Sequence, residues 1–367
     1  MRLTLVGAVV CVCLMATAGS AQVSTNDITV RLAGRVQAQF NTTDIDPAEA
    51  GFFLPASTFE TRRIRLTGQI TIRDWITGII EPDYALGVLQ LRLAFVNFAF
   101  TNALQLNAGQ FKKPFSRIFL ESSTQIPAIE RGLRIRGLPE ALEVEDTAGG
   151  QAPVLVAVGG IPLIGEEQFI LETIGYLGYD IGASLNGVVG PLRYEAGVFN
   201  GAGADRRDDN DGKTYGLRVS GNPSGKVPLM LGVAVLHQSK FSTPESGTAF
   251  ELFGEWSTFR TPGLHVLAEM ASGGTLVVDD SFTAAQVVAA WFVPYGGRVE
   301  GVEPVARVSY GNPRHDVADD AGLLITPGIN VYFFGRNRLS LNWDVWLPQG
   351  DRFDTSHALR AQAQLAF

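Results

Sequence analysis

Along most of this chain apolar and polar residues alternate with a period of two, the signature of β-strands whose two faces meet different surroundings. Over 30–40, Val30, Leu32, Gly34, Val36, Ala38 and Phe40 share one face, and Arg31, Arg35, Gln37 and Gln39 the other. Over 58–72, Ile64, Leu66, Ile70 and Ile72 alternate with Arg63, Arg65, Thr67, Gln69 and Thr71. Strands are predicted over 75–83, over 88–98, with Leu89, Leu91, Leu93 and Phe95 opposite Gln90 and Arg92, and over 104–112. The rhythm then stops at Lys113 and resumes near Tyr179. From there it predicts strands over 179–187, 192–200, 214–222, 228–238, 249–258, 263–272, 284–295, 301–310, 322–334, 338–347 and 356–367. In the last, His357, Leu359, Ala361, Ala363, Leu365 and Phe367 fall on one face.

The links between these strands alternate in kind. Those over 188–191, 222–227, 260–263 and 335–337 are short and rich in Gly, Pro and Asn. Those over 201–213, 239–248, 273–283, 311–321 and 348–355 are longer and polar. Short turns at one end and long loops at the other are the asymmetry of a membrane-spanning barrel, and strands of about ten residues match its tilted span. The long interruption over 113–178 is more in keeping with a functional loop than with filler. A β-protein interrupted once, after its fifth strand, suggests a barrel with this third long loop folded into its bore.

Alternation alone does not separate a soluble sandwich from a barrel that is apolar outside and wet inside. The amounts do: a two-sheet sandwich of this many long strands would be unusually large for one domain. Hydrophobic residues make up 46% of the chain and charged residues 18%, below the usual quarter or so, yet no stretch after the first residues is long enough for a spanning helix. Trp75, Tyr176, Tyr179, Trp291, Tyr295, Tyr332, Trp343 and Trp346 are placed to form aromatic girdles at the lipid interfaces. The reading is therefore all-β: a transmembrane antiparallel β-barrel of about 16 strands with an inward-folded third loop.

The start of the chain agrees with that location. Met1 and Arg2 precede an apolar run over 3–18 and the small residues Gly19, Ser20 and Ala21, which predicts a secretory signal peptide over 1–21. Residues 22–367 would then be one outer-membrane barrel domain, with 113–178 as its constriction loop. Cys11 and Cys13 both lie in the signal, so the remainder has neither disulfides nor thiolate chemistry. The final aromatic Phe367 on an alternating strand resembles the C-terminal signal read by outer-membrane assembly machinery.

Charge then sets the candidate chemistry. The formal net charge of −8 argues against nucleic acid as a partner. Of 29 basic residues only Lys112, Lys113, Lys213, Lys226 and Lys240 are lysines. Arginine's planar fork suits phosphate and carboxylate. Arg31, Arg35, Arg63, Arg65 and Arg92 occupy the polar face of the early strands, and Glu251, Glu255, Glu269 and Glu303 that of later ones. Opposed rows of this kind would set up a transverse field in a wet bore. Alternatively each charge pairs with its neighbours and holds the wall together.

The stretch Gly109, Gln110, Phe111, Lys112, Lys113, Pro114, Phe115, Ser116, followed by Glu130, Arg131 and Gly132, resembles the phosphate-selective porin O and P family. Further matches are Tyr194 to Gly201 (YEAGVFNG), Tyr215 to Val219 with Asn222 and Pro223, Trp291 with Phe292, Glu303 to Arg307 (EPVAR), and the ending from Leu359. The resemblance implies a 16-stranded homotrimeric porin with its third loop folded inward and a basic constriction that passes phosphate. In the matching region the basic residues are Lys112, Lys113, Arg131, Arg134 and Arg136. A Lys-rich ladder is missing.

Other chemistries find little support. G-x-S-x-G and H-E-x-x-H do not occur, and His237, His265, His315 and His357 are scattered, with His265 expected in the bore beside Glu269. The acidic run Asp205 to Asp211 lacks EF-hand spacing. No enzyme activity, metal or cofactor is expected. The expectation is passive diffusion of small hydrophilic solutes across the outer membrane of a Gram-negative-type bacterium, favouring anions such as phosphate. Anion guides would be Arg31, Arg35, Arg63, Arg65, Arg92, Lys112, Lys113, Arg131 and Arg134, opposite an acidic wall of Glu251, Glu255 and Glu303. The alternatives are a general non-selective porin and a plugged structural or adhesion barrel.

Overall fold

The computed structural model describes residues 21–25, 27–44, 57–85, 88–132, 134–135, 168–169, 171, 174–208, 211–239, 246–258, 260–275, 280–351 and 354–367. Its strands are β1 (Ala21–Ser24), β2 (Ile28–Thr42), β3 (Ser57–Ile72), β4 (Ile76–Ala85), β5 (Val88–Thr101) and β6 (Leu104–Lys112), followed by the helical turn α1 (Arg117–Leu120). Two short pieces, β7 (Arg134–Ile135) and β8 (Gln168–Phe169), pair with each other. Then come β9 (Tyr179–Val189), β10 (Leu192–Phe199), β11 (Thr214–Gly221), β12 (Leu229–Ser239), β13 (Ser246–Trp256), β14 (Gly263–Gly274) and β15 (Ser281–Pro294). The chain closes with β16 (Gly301–Asn312), β17 (Gly322–Phe334), β18 (Asn337–Pro348) and β19 (Ser356–Ala366).

Each strand pairs antiparallel with the next, β6 pairs with β9 across the long insertion, and β19 returns to β2. The main sheet has 17 strands; without β1 it is a closed barrel of 16. Closure leaves no unpaired edge, the condition for strands in lipid. β1 lies on the β2 edge that β19 leaves open: Ala21 to Ser24 pair with Leu32 to Thr29, while β19 reaches only as far as Arg35. The seam is fastened by reciprocal backbone bonds between Gly34 and Phe367, 2.9 and 3.0 Å.

The predicted strands all form, several a few residues longer than the alternation suggests. The polarity of the barrel is inverted relative to a soluble protein. Phe59 (84% exposed), Leu89 (70%), Phe250 and Leu252 point outward, whereas Gln37, Arg63, Glu251, Glu269, Arg307 and Arg338 are buried. Apolar side chains face outward and polar ones face the interior, the polarity of a barrel set in lipid.

Two expectations are corrected here. Glu81 pairs with Leu93 and Pro82 with Leu91, so Arg92 is the extra residue of a β-bulge. Beyond it the parity of β5 reverses: Leu93 packs on the buried core and the Phe95 ring lies 5.6 Å from that of Phe111. One inserted residue moves every later side chain to the other face. Of the aromatics assigned to the girdles, Trp75, Trp291, Tyr295 and Trp343 are exposed, but Tyr176, Tyr179, Tyr332 and Trp346 are buried. Tyr332, for example, donates to Glu303 at 2.8 Å and accepts from Arg338 at 3.0 Å; its polar handle keeps it inside.

Candidate functional site

Residues 113–132 follow β6 and bond to polar side chains around the barrel wall. Lys113 Nζ donates to the Gly175 carbonyl at 3.0 Å and to Gln238 Oε1 at 2.6 Å. Burial lowers this amine to about 8, against the opposing pull of the Asp180 carboxylate. Next comes Ser116, the N-cap of α1, at φ 61°. Glu251 on β13 accepts the backbone N–H groups of Ser116 and Arg117, at 2.8 and 2.7 Å. Glu269 on β14 accepts the Ile118 N–H at 2.9 Å and the Ser116 hydroxyl at 3.1 Å. A one-turn helix leaves its first N–H groups without internal partners, and here two wall carboxylates supply them.

Further along, the side chains of the wall hold the backbone. Arg338 donates to the Ile126 carbonyl (2.8 Å), Asn330 to that of Pro127 (2.8 Å) and Arg307 to that of Glu130 (2.6 Å). The Ile129 N–H donates to Asn342 Oδ1 at 2.7 Å. Glu130 itself is gripped by Arg62 and Arg63 on β3, at 2.7 and 3.1 Å. A buried irregular segment needs a partner for each backbone polar group, and the inner faces of β13, β14 and β16–β18 provide them.

The predicted basic residues fall into three groups. Arg35 and Arg65 share Glu81, at 3.0 and 3.5 Å, and Arg65 and Arg92 share Asp83, at 2.8 and 3.2 Å. Arg92 and Lys112 both lie against the Tyr179 ring, 5.5 and 6.0 Å from its centroid, and Arg65 comes within 3.5 Å of its hydroxyl. Lys112 and Arg131 flank the Phe119 ring and donate to the carbonyls of Phe119 and Ile118. Arg35, Arg65, Arg92, Lys112 and Arg131 thus gather at one place. Arg63 and Lys113 sit apart, each inside the contacts just described. Arg31 is exposed and bonds Gln22 at 3.4 Å. For Arg134 the structure gives a backbone position in β7, and Arg136 lies outside the described residues.

The acidic residues are engaged locally as well. Glu251 pairs with Arg218 at 3.1 Å, and Glu255 with Arg117 at 2.7 Å. Glu303 accepts from Asn330 and Tyr332. His265 lies beside Glu255, at 3.1 Å, rather than beside Glu269. Among the described residues no cluster of His, Cys, Asp and Glu could hold a metal ion. Sequence reasoning missed Glu81 and Asp83 as partners of the arginine row, and Tyr179 as its aromatic backing. Glu81 and Asp83 stand on the polar face of their own strand, which was the available signal.

A closed barrel with an apolar exterior and a polar, charge-lined interior defines the class: an outer-membrane β-barrel of the porin type. The family model described as Phosphate-selective porin O and P matches residues 30–297, and the chain belongs to that family. Solved structures of similar fold include OprB of Pseudomonas putida (9% identity, TM-score 0.60, covering 93% of this chain and 94% of that one). An anion-selective porin from Comamonas acidovorans is similar at 11% identity and TM-score 0.58, over 93% of this chain and 100% of that one. OmpT, an outer membrane protein of Vibrio cholerae, is similar at 10% identity and TM-score 0.58, over 94% of this chain and 99% of that one. Among curated proteins, comparison of sequences finds no match.

Proposed function

We propose that this channel passes small hydrophilic solutes by diffusion and favours anions, with phosphate a candidate. The observation that carries this is the cluster around Tyr179 and Phe119. Among the described residues, five basic side chains, Arg35, Arg65, Arg92, Lys112 and Arg131, meet there with two carboxylates, Glu81 and Asp83. With Arg131 set aside, the described groups there still carry more positive than negative charge, although the chain carries −8 overall. Fixed positive charge inside a narrow bore lowers the barrier for anions, and groups already held by neighbours bind a passing anion weakly enough to release it. The Comamonas porin of similar fold is anion-selective, which supports the same reading.

On this reading the loop over 113–178 narrows the pore, residues 1–21 are a removable secretory signal, and the assembled form is a homotrimer. Phe367 would be the residue presented to the assembly machinery. The test is the reversal potential of the purified protein in a planar bilayer under a potassium chloride gradient, repeated with phosphate. Chloride-selective current partly blocked by phosphate is the expected result. Weak or cation selectivity with no phosphate effect would leave a general porin, and no conductance would leave a plugged barrel.

A further inference from the structure

A cavity of about 720 Å³ lies between α1 and the wall formed by β6 and β9–β13, near the short turns that follow β9 and β13. Of the five basic residues gathered around Tyr179 and Phe119, none lines it. Most of the charges that do are closed on one another. Arg117 holds Glu121 at 2.6 Å and Glu255 at 2.7 Å, and Arg218 holds Glu251 at 3.1 Å. Two are left over on β10. Arg193 stands between Val188 and Ser220 in register, is exposed, and has no ion pair or hydrogen bond among the described residues. Glu195, two residues on and on the same face, accepts a single bond, from Ser184 at 3.0 Å on Oε1. Its register neighbours are Arg218 and Asn186, and the Asn186 amide nitrogen is buried without a partner. Leu120 and Met230, both half-buried, give the cavity an apolar flank.

We infer that this cavity is a binding site for zwitterionic α-amino acids with an aliphatic side chain. Arg193 takes the carboxylate, Glu195 the ammonium, and Leu120 and Met230 the side chain. The inference rests on the channel reading and adds a solute class whose own two charges cancel. Cavities of roughly 300–1,000 Å³ suit small molecules. This one presents two uncommitted opposite charges roughly 7 Å apart along one strand, a span that the long arginine stem can shorten. Specificity follows from the signs. A simple anion drawn by Arg193 meets the repulsion of Glu195, and a simple cation drawn by Glu195 meets that of Arg193. A zwitterion in one orientation gains both attractions. The Asn186 amide supplies a further donor. Both charged groups are in contact with water, so each attraction is weak, which is what lets a solute leave again.

The test is block of the potassium chloride current in a planar bilayer, at neutral pH, by three compounds. They are L-leucine, isopentylamine (leucine without its carboxylate) and isocaproate (leucine without its amine). In the wild type, leucine should half-block at a concentration about fivefold lower than either analogue. Glu195→Gln should weaken leucine to the level of isocaproate, and Arg193→Gln to that of isopentylamine. The potassium chloride current of each variant shows that it has assembled. Equal block of the wild type by all three compounds, or no block by any, would overturn the proposal without recourse to a variant. So would a preference for leucine that survives both substitutions. A wild type without conductance would overturn the channel reading and this inference with it.

Discussion

The carboxylate of Glu251 accepts the backbone N–H of Arg117 at 2.7 Å, although 134 residues separate them in sequence. A side chain from the barrel wall thereby completes the first turn of a helix that belongs to the long insertion. The same carboxylate takes the Ser116 N–H and the Arg218 guanidinium. Replacing it with Ala leaves two backbone donors and a buried cation without this partner. Glu251→Ala should therefore cost roughly 3 kcal/mol of stability, seen as a lower temperature for loss of the folded band on gels. If the segment over 113–132 limits the pore, single-channel current should also become noisier. An unchanged melting temperature and current trace would mean that the other contacts hold the segment alone.

Glu130 sits between Arg62 and Arg63. Glu130→Gln keeps the shape of the side chain and removes one negative charge. The expected outcome is a shift of the chloride-to-potassium permeability ratio toward chloride, by roughly twofold. A shift toward potassium, or none, would mean that this carboxylate does not act on permeating ions.

Lys113 gives a pH dependence of defined sign. Its amine titrates near 10.5 when exposed and at about 8 when folded. Between these values the unfolded chain binds more protons, so stability rises as pH increases from about 8 to about 10.5. The full span is worth about 3 kcal/mol. Thermal unfolding in detergent across this range should show the rise, and Lys113→Met should flatten it. A slope equal in both proteins would assign the effect to other groups.

Gly34 has no room for a side chain. A Cβ there would stand 2.5 Å from the ring of Phe367 and 2.9 Å from the Arg65 carbonyl. Gly34→Val should displace the final residue, weaken the β2–β19 seam by about 2 kcal/mol and lower the yield of folded protein in membranes. Deleting Phe367 removes the two backbone bonds to Gly34 and should lower the yield in the same assay, whereas Gly78→Ala, on the neighbouring sheet surface with open space around it, should not.

How much of this was legible beforehand follows the range of the interactions. Alternation is local, and it located all the barrel strands, because a strand between lipid and water must alternate whatever its neighbours are. It failed at Arg92, where one inserted residue reversed the faces of Leu93 and Phe95. It also failed for Tyr332 and Trp346, since an aromatic near a strand end reads the same whether it turns outward to lipid or inward to Glu303.

By itself, then, the sequence determined the barrel, the order and approximate positions of its strands, its family and most of the residue types on the polar face. Tertiary structure decided which charges meet. Arg63 reaches Glu130 across 67 positions and Arg307 reaches the Glu130 carbonyl across 177. Such pairings depend on barrel closure, on the stagger of the strands and on the route of residues 113–132, and no short-range pattern encodes them.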